Sequence, residues 1–324
     1  MLTRRAMLAS ALLPLAAPAL GQSAGFEASA ASLGDRLHSL IVQQNGQEVF
    51  ARAYGGRGLD RVANVKSVSK TLLALMTGIA IDRGVIAGAD APVLPLLGRA
   101  PTGDARDAIT VGHLLSMQTG LASTSGPNYG AWVSSRDWVA SALAQEIEST
   151  PGGDFIYSTG GWHILGAALS RQADASLLEL ARTWLGRPLG VDFAPWVQDP
   201  QGRYLGGNDM ALSPRDLLRI GQMVLDGGQW DGAQVVPAGW LSESWQPRAR
   251  SPWSGDQYGY GWFLTRLGGT DVAYGRGFGG QMLAVAPERR VVIAITSDPT
   301  RPARSRGYFG TLQSLVADIL RDVA

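Results

Sequence analysis

The sequence predicts an α+β protein, in which a sheet drawn from both ends of the chain carries an inserted, mainly helical lobe. Three observations carry this. Residues 40–54 read as a β-hairpin, with Asn45-Gly46 as the turn between two short apolar stretches. Residues 258–264, 281–285 and 291–296 are strand-like runs near the other end, the last two joined by a turn over 287–290. Between these groups, residues 102–226 read as helix and loop. Strands at the two ends with helices between them pair most simply as one antiparallel sheet. The expected division is therefore 22–101 with 231–324 as an α/β lobe and 102–230 as the helical lobe. A cleft belongs where the lobes meet.

Composition bounds the function. The 324 residues are 45 % apolar and 17 % charged, enough for a large core, and a formal net charge of +1 offers no basic surface for nucleic acid. Absence of cysteine removes thiol catalysis and disulfides, and His38, His113 and His163 share no ligand spacing, so neither a metal site nor a cofactor is expected.

Residues 1–21 read as an export signal: Arg4-Arg5 precede a small-residue apolar run, and Thr3-Arg4-Arg5-Ala6-Met7-Leu8 has a twin-arginine pattern. The segment is too short for a permanent span, so a periplasmic or secreted protein is expected. Residues 22–36 form a polar lead-in that becomes helical near Ala31, followed by the hairpin.

After Asn64, apolar residues at Val68, Leu72, Leu75, Met76 and Ile79 have helical spacing, predicting a helix to about Asp82 with Gly84 as its stop. Ser67 and Lys70 sit three apart at its start, on one face. Of the 28 basic residues only Lys66 and Lys70 are lysine, and both flank this serine. Arginine keeps its proton in proteins, whereas a desolvated lysine can act as a base. Ser67 thus reads as a nucleophile and Lys70 as its general base or proton relay.

A connection over 88–101 leads to a helix at 109–117 capped by Thr110. Residues 121–137 form a loop whose Tyr129 and Trp132 line the cleft or anchor the loop. Helices are expected at 134–148, 162–170 and 176–185, and from the Ser213 cap and Pro214 to about Leu225; residues 312–323 close the chain as an amphipathic helix. Gly206-Gly207-Asn208 reads as a break. The glycines of 275–280 precede a strand and lack a following Lys-Ser/Thr, which argues against a phosphate loop.

Taken together, Ser67-x-x-Lys70, Tyr157-Ser158-Thr159 and the run Gly275-Arg276-Gly277-Phe278-Gly279-Gly280-Gln281 resemble the serine beta-lactamase and penicillin-binding protein superfamily. Their order and spacing are similar to its class C-like branch, with its esterase and 6-aminohexanoate-oligomer hydrolase relatives. The resemblance runs over about 60–310 and implies the beta-lactamase/transpeptidase-like fold. It makes Tyr157 a general base or acid, and Thr159, Arg276 and Gly277 substrate-binding residues beside Tyr129 and Trp132. The backbone amides of Ser67 and Phe278 become the oxyanion donors. The asparagine of the second motif is threonine here, and the lysine of the third motif is missing, with Arg276 as a substitute charge. The expected activity is hydrolysis of a small ester, amide or peptide-like substrate through an acyl-serine. A true beta-lactamase, a D-Ala-D-Ala carboxypeptidase and a sensor that binds covalently without turnover are the alternatives.

Overall fold

The computed structural model describes residues 24–323; the export segment expected at 1–21 lies outside them. Its centre is an eight-stranded antiparallel sheet. The strands are β1 (Leu37–Gln44), β2 (Gln47–Ala53), β3 (Ala249–Arg250), β4 (Gln257–Tyr258), β5 (Phe263–Leu267), β6 (Thr270–Gly277), β7 (Gln281–Ala286) and β8 (Val291–Ser297). They lie in the order β2-β1-β8-β7-β6-β5-β4-β3, so the N-terminal hairpin adds to the C-terminal strands through β1 and β8. Every residue of β7 and β8 is buried, which is why these strands read as continuous apolar runs without alternation: both sheet faces are covered. The α+β architecture expected from the sequence, one sheet drawn from both ends of the chain with helices between, is the one observed.

One face carries α1 (Ala24–Ser32) and the terminal helix (Tyr308–Asp322) packed together. On the other lie α2 (Ser69–Asp82), then α3 (Thr159–Ala173) against α2, and α4 (Pro214–Leu225) against β8, β7 and β1. The terminal helix is α5. Ser213 starts α4 as expected, its hydroxyl accepting from the Asp216 amide at 3.1 Å. Thr110 caps its short helix in a reciprocal pair with His113. Among the described residues no helix is long and apolar enough to cross a membrane.

Several expectations are corrected. The helix expected over 134–148 is confined to Trp138–Leu143. Asp137 sets its start by accepting from the Ala140 amide, and Glu146 and Glu148 bond back to Ala122 and Gly120, which prevents extension. The helix expected over 176–185 runs only from Leu177 to Leu180 before a π-helical turn, Ala181–Gly186. Placed with the helical lobe by sequence, α4 instead covers the sheet. The glycines read as preceding a strand in fact begin inside one, since Gly275 and Gly277 close β6, an interior strand. Its neighbour β5 ends opposite Tyr274, however, so the last three residues of β6 have one side unpaired.

Candidate active site

Ser67 occupies a 3-10 turn, Lys66–Val68, that runs directly into α2. The turn is fastened to the distant segment 207–210. Lys66 has φ +51° and donates its amide to Asn64 Oδ1 at 2.8 Å. Lys66 Nζ and Asn64 Nδ2 both reach Asp209 Oδ1, at 2.9 and 2.8 Å. Ser69 Oγ accepts from the Met210 amide at 3.0 Å. These bonds commit the Lys66 ammonium to Asp209 and not to the serine beside it.

Lys70 follows one turn later, and its side chain is buried. Nζ donates to Ser67 Oγ at 3.1 Å, to the Gly207 carbonyl at 2.8 Å and to Thr159 Oγ1 at 3.3 Å. It also lies over the Tyr157 ring, 4.9 Å from the centroid. Burial pulls the Lys70 ammonium below the ordinary lysine range, with Tyr157 and Asp209 acting in the opposite direction. A hydroxyl and a desolvated amine in hydrogen-bond contact are the parts of an activated nucleophile.

Tyr157 and Thr159 arrive on the lead-in to α3, whose start is fixed by the Ser158 cap. The Tyr157 carbonyl accepts from Ser123 Oγ at 2.6 Å, and the Thr159 amide donates to Ser125 Oγ at 2.8 Å. Thr159 therefore contacts Lys70 directly. Asn208 was read from sequence only as part of a chain break, yet its Oδ1 accepts from Ser67 Oγ at 3.3 Å and its Nδ2 faces Tyr129 Oη at 3.4 Å. The preceding glycine is required there. Gly207 has φ +73°, and a Cβ on it would lie 2.5 Å from Trp162 Cβ and 3.0 Å from Lys70 Cγ. The Gly-Gly-Asn sequence was the available signal: two glycines before a polar residue mark backbone forced close to something.

Other expected residues divide by strand alternation. A Cβ on Gly275 would meet Thr71 Oγ1 at 2.6 Å, and one on Gly277 would meet the Val65 carbonyl at 2.5 Å, so both face the Ser67 segment. Arg276 must then face the other side of the sheet. It donates there to Ser305 Oγ at 2.8 Å and the Ala303 carbonyl at 2.9 Å, with its guanidinium 3.8 Å from the Phe309 ring centroid. The substitute charge expected from Arg276 is thus directed away from Ser67. Beyond Gly277, Phe278 is exposed, and among the described residues its amide meets no acceptor. Trp132 is buried, donates Nε1 to the Trp138 carbonyl at 2.9 Å and packs edge-on to His163, which makes it an anchor behind Tyr129 and not a cleft wall. Tyr129 keeps its hydroxyl at Asn208.

A buried ionic network stands behind this segment. His163 Nδ1 accepts from the Gly206 amide at 3.2 Å, and Nε2 lies 3.0 Å from Asp199 Oδ2. Asp199 also receives Arg203 Nε at 2.7 Å. Burial opposes the Asp199 charge, but His163 and the Arg203 amide and guanidinium outweigh it and hold the carboxyl at about 2. Burial lowers His163, leaving it neutral, a donor through Nε2 and an acceptor through Nδ1. A carboxyl depressed on folding stabilises the native state above its unfolded value near 3.8 and loses that contribution as pH falls to about 2. Asp199→Asn should therefore lose about 1–2 kcal/mol at pH 7, an amount reduced from the full shift by solvent at the partly exposed Arg203. Urea unfolding across pH should show the deficit shrinking between about pH 4 and 2. A pH-independent deficit would contradict the assignment.

Residues 36–317 match the family model described as Beta-lactamase. The chain is 26 % identical over 305 residues to the 6-aminohexanoate-dimer hydrolase of Paenarthrobacter ureafaciens, covering 85 % of this chain and 76 % of that protein. Among solved structures it is similar to a candidate 6-aminohexanoate-dimer hydrolase from Bacillus anthracis, with TM-score 0.77, 18 % identity and coverage of 89 % and 79 %. It is also similar to EstCE1, described as a hydrolase with promiscuous acyltransferase activity, with TM-score 0.72, 19 % identity and coverage of 90 % and 97 %.

Proposed function

This chain belongs to the beta-lactamase family, a hydrolase family that shares its fold with penicillin-binding proteins, and from that premise we propose that it is a serine hydrolase of esters or amides. The observation that carries the reading is the buried Lys70 amine 3.1 Å from Ser67 Oγ. In the proposed cycle Ser67 Oγ bonds to the substrate carbonyl carbon while its proton passes to uncharged Lys70. The amides of Ser67 and Phe278 hold the oxyanion, a donor of this kind contributing about 3 kcal/mol in the transition state. The bond to the leaving oxygen or nitrogen then breaks as that atom takes a proton through Tyr157. Water adds to the acyl-serine, gives up a proton by the same groups, and releases the acid with Ser67 restored.

Within the class, an ester or amide without a carboxylate beside the scissile bond is favoured over a beta-lactam or a D-Ala-D-Ala peptide. The support is the direction of Arg276 together with the pairing of Lys66 to Asp209. With the export signal read at 1–21, the site of action is periplasmic or extracellular.

Intact-mass spectrometry after brief mixing tests the proposal. A p-nitrophenyl ester should give a transient adduct of one acyl group and a burst of nitrophenol. A chromogenic cephalosporin and a D-Ala-D-Ala peptide should turn over far more slowly. Turnover with no adduct under any quench would overturn the covalent mechanism, and a stable adduct without turnover would select the sensor.

A further inference from the structure

Beyond the reacting atoms, one exposed aromatic is placed as a binding element. Trp253 is 59 % exposed, the highest of the large apolar side chains among the described residues. Its indole nevertheless meets the Tyr157 ring edge-on at 6.1 Å between centroids, and the Phe155 ring at 5.9 Å. The loop presenting it is pinned. The Ser251 amide donates to the Asp256 carbonyl and the Gly255 amide to the Ser251 carbonyl, both at 2.9 Å. Tyr274 Oη donates to Asp256 Oδ2 at 2.5 Å, tying the loop to β6. A loop held in this way has less backbone entropy to lose when a ligand packs on the ring it presents.

Its chemistry is one-sided. The basic side chains on the segments that build the site are committed elsewhere: Lys70 to Ser67 and Gly207, Lys66 to Asp209, and Arg276 to the far face of the sheet; Arg250, at the base of the Trp253 loop, donates to the Gly255 carbonyl at 3.0 Å. A planar apolar face beside Tyr157, with Lys70, Lys66 and Arg276 all engaged elsewhere, suits an aromatic group better than a carboxylate.

We infer that Trp253 forms the leaving-group subsite, taking the aryl or arylmethyl group of an uncharged ester or amide against its indole. The inference rests on the hydrolase reading above, because the side on which Tyr157 delivers its proton is the side on which the leaving group departs. Trp253 acts on specificity and has no part in bond making.

The test varies the leaving group at constant acyl group. Methyl, benzyl, 2-naphthylmethyl and 4-carboxybenzyl acetates are compared in wild type, Trp253→Ala and Trp253→Phe. Wild type should prefer benzyl and naphthylmethyl over methyl, and benzyl over 4-carboxybenzyl. In Trp253→Ala the benzyl-to-methyl ratio of kcat/KM should fall about tenfold, mostly through KM, and Trp253→Phe should restore most of it. A p-nitrophenyl acetate-to-hexanoate series should show no matching loss. An unchanged benzyl-to-methyl ratio, discrimination confined to the acyl series, or a wild-type preference for the carboxybenzyl ester would overturn the subsite. In each case a Ser67 acyl adduct in wild type would leave the hydrolase reading standing, whereas its absence would mark failure of that reading instead.

Discussion

Ser67→Ala should reduce kcat/KM on any ester that this chain hydrolyses by about ten-thousandfold and leave no acyl adduct by intact mass. Alanine removes a hydroxyl that is both in hydrogen-bond contact with the Lys70 amine and partly open to solvent. A rival oxygen exists: Thr159 Oγ1 lies 3.3 Å from the same Nζ. It is a poor nucleophile here, because it is buried and already paired with Ser125 Oγ at 3.0 Å. Thr159→Val should accordingly leave adduct formation on Ser67 detectable, with a smaller loss in rate. If Thr159→Val abolished the adduct while Ser67→Ala retained it, the nucleophile would be misassigned. Ser67→Ala should unfold at nearly the wild-type urea midpoint, since its hydroxyl makes only side-chain contacts at 3.1 and 3.3 Å.

Which features were legible in sequence follows from how local their causes are. Ser67 and Lys70 are one helical turn apart, so spacing alone brings them together, and the 3.1 Å contact is a property of α2 and the turn before it. The sheet was legible because β7 and β8 are buried on both faces and cannot hide their apolar character. Gly207 and Asn208 were legible only as a close approach to an unnamed partner: they reach Lys70 and Ser67 across separations of 137 and 141 residues, and the Gly-Gly-Asn pattern does not say to what. The direction of Arg276 could have been deduced. Glycines at 275 and 277 flank it, and if those two face the nucleophile, a period of two sends the arginine through the sheet. The helix expected over 134–148 failed for the converse reason, since its last residues bond to Gly120 and Ala122, partners that a local pattern does not reveal.

Lys70→Met and Lys70→Arg should each lower kcat by about a thousandfold, within the range that general acid–base groups supply. Methionine matches lysine in length but cannot take the Ser67 proton. Arginine keeps the charge, and its guanidinium does not deprotonate in a protein. It must also fit against a Gly207 backbone already in close contact with the lysine stem, where a Cβ would stand 3.0 Å from Lys70 Cγ. Activity in Lys70→Arg above a tenth of wild type would mean that charge, not proton transfer, is what the position supplies. The pH dependence separates these further. Because burial depresses the Lys70 amine, the unfolded chain binds more protons than the native one over the interval below 10.5. That group's contribution is therefore fully present only above the unfolded value and is lost as pH falls through the folded one. Urea titrations should show Lys70→Met gaining on wild type as pH is lowered from about 10.5 toward neutrality. Over the same range the wild-type kcat/KM should rise with pH as the amine sheds its proton, and in Lys70→Met that limb should be missing. A variant that gains relative stability on acidification while losing the alkaline rise in rate identifies one buried amine as the source of both, since a merely structural lysine would move the first and leave the second in place.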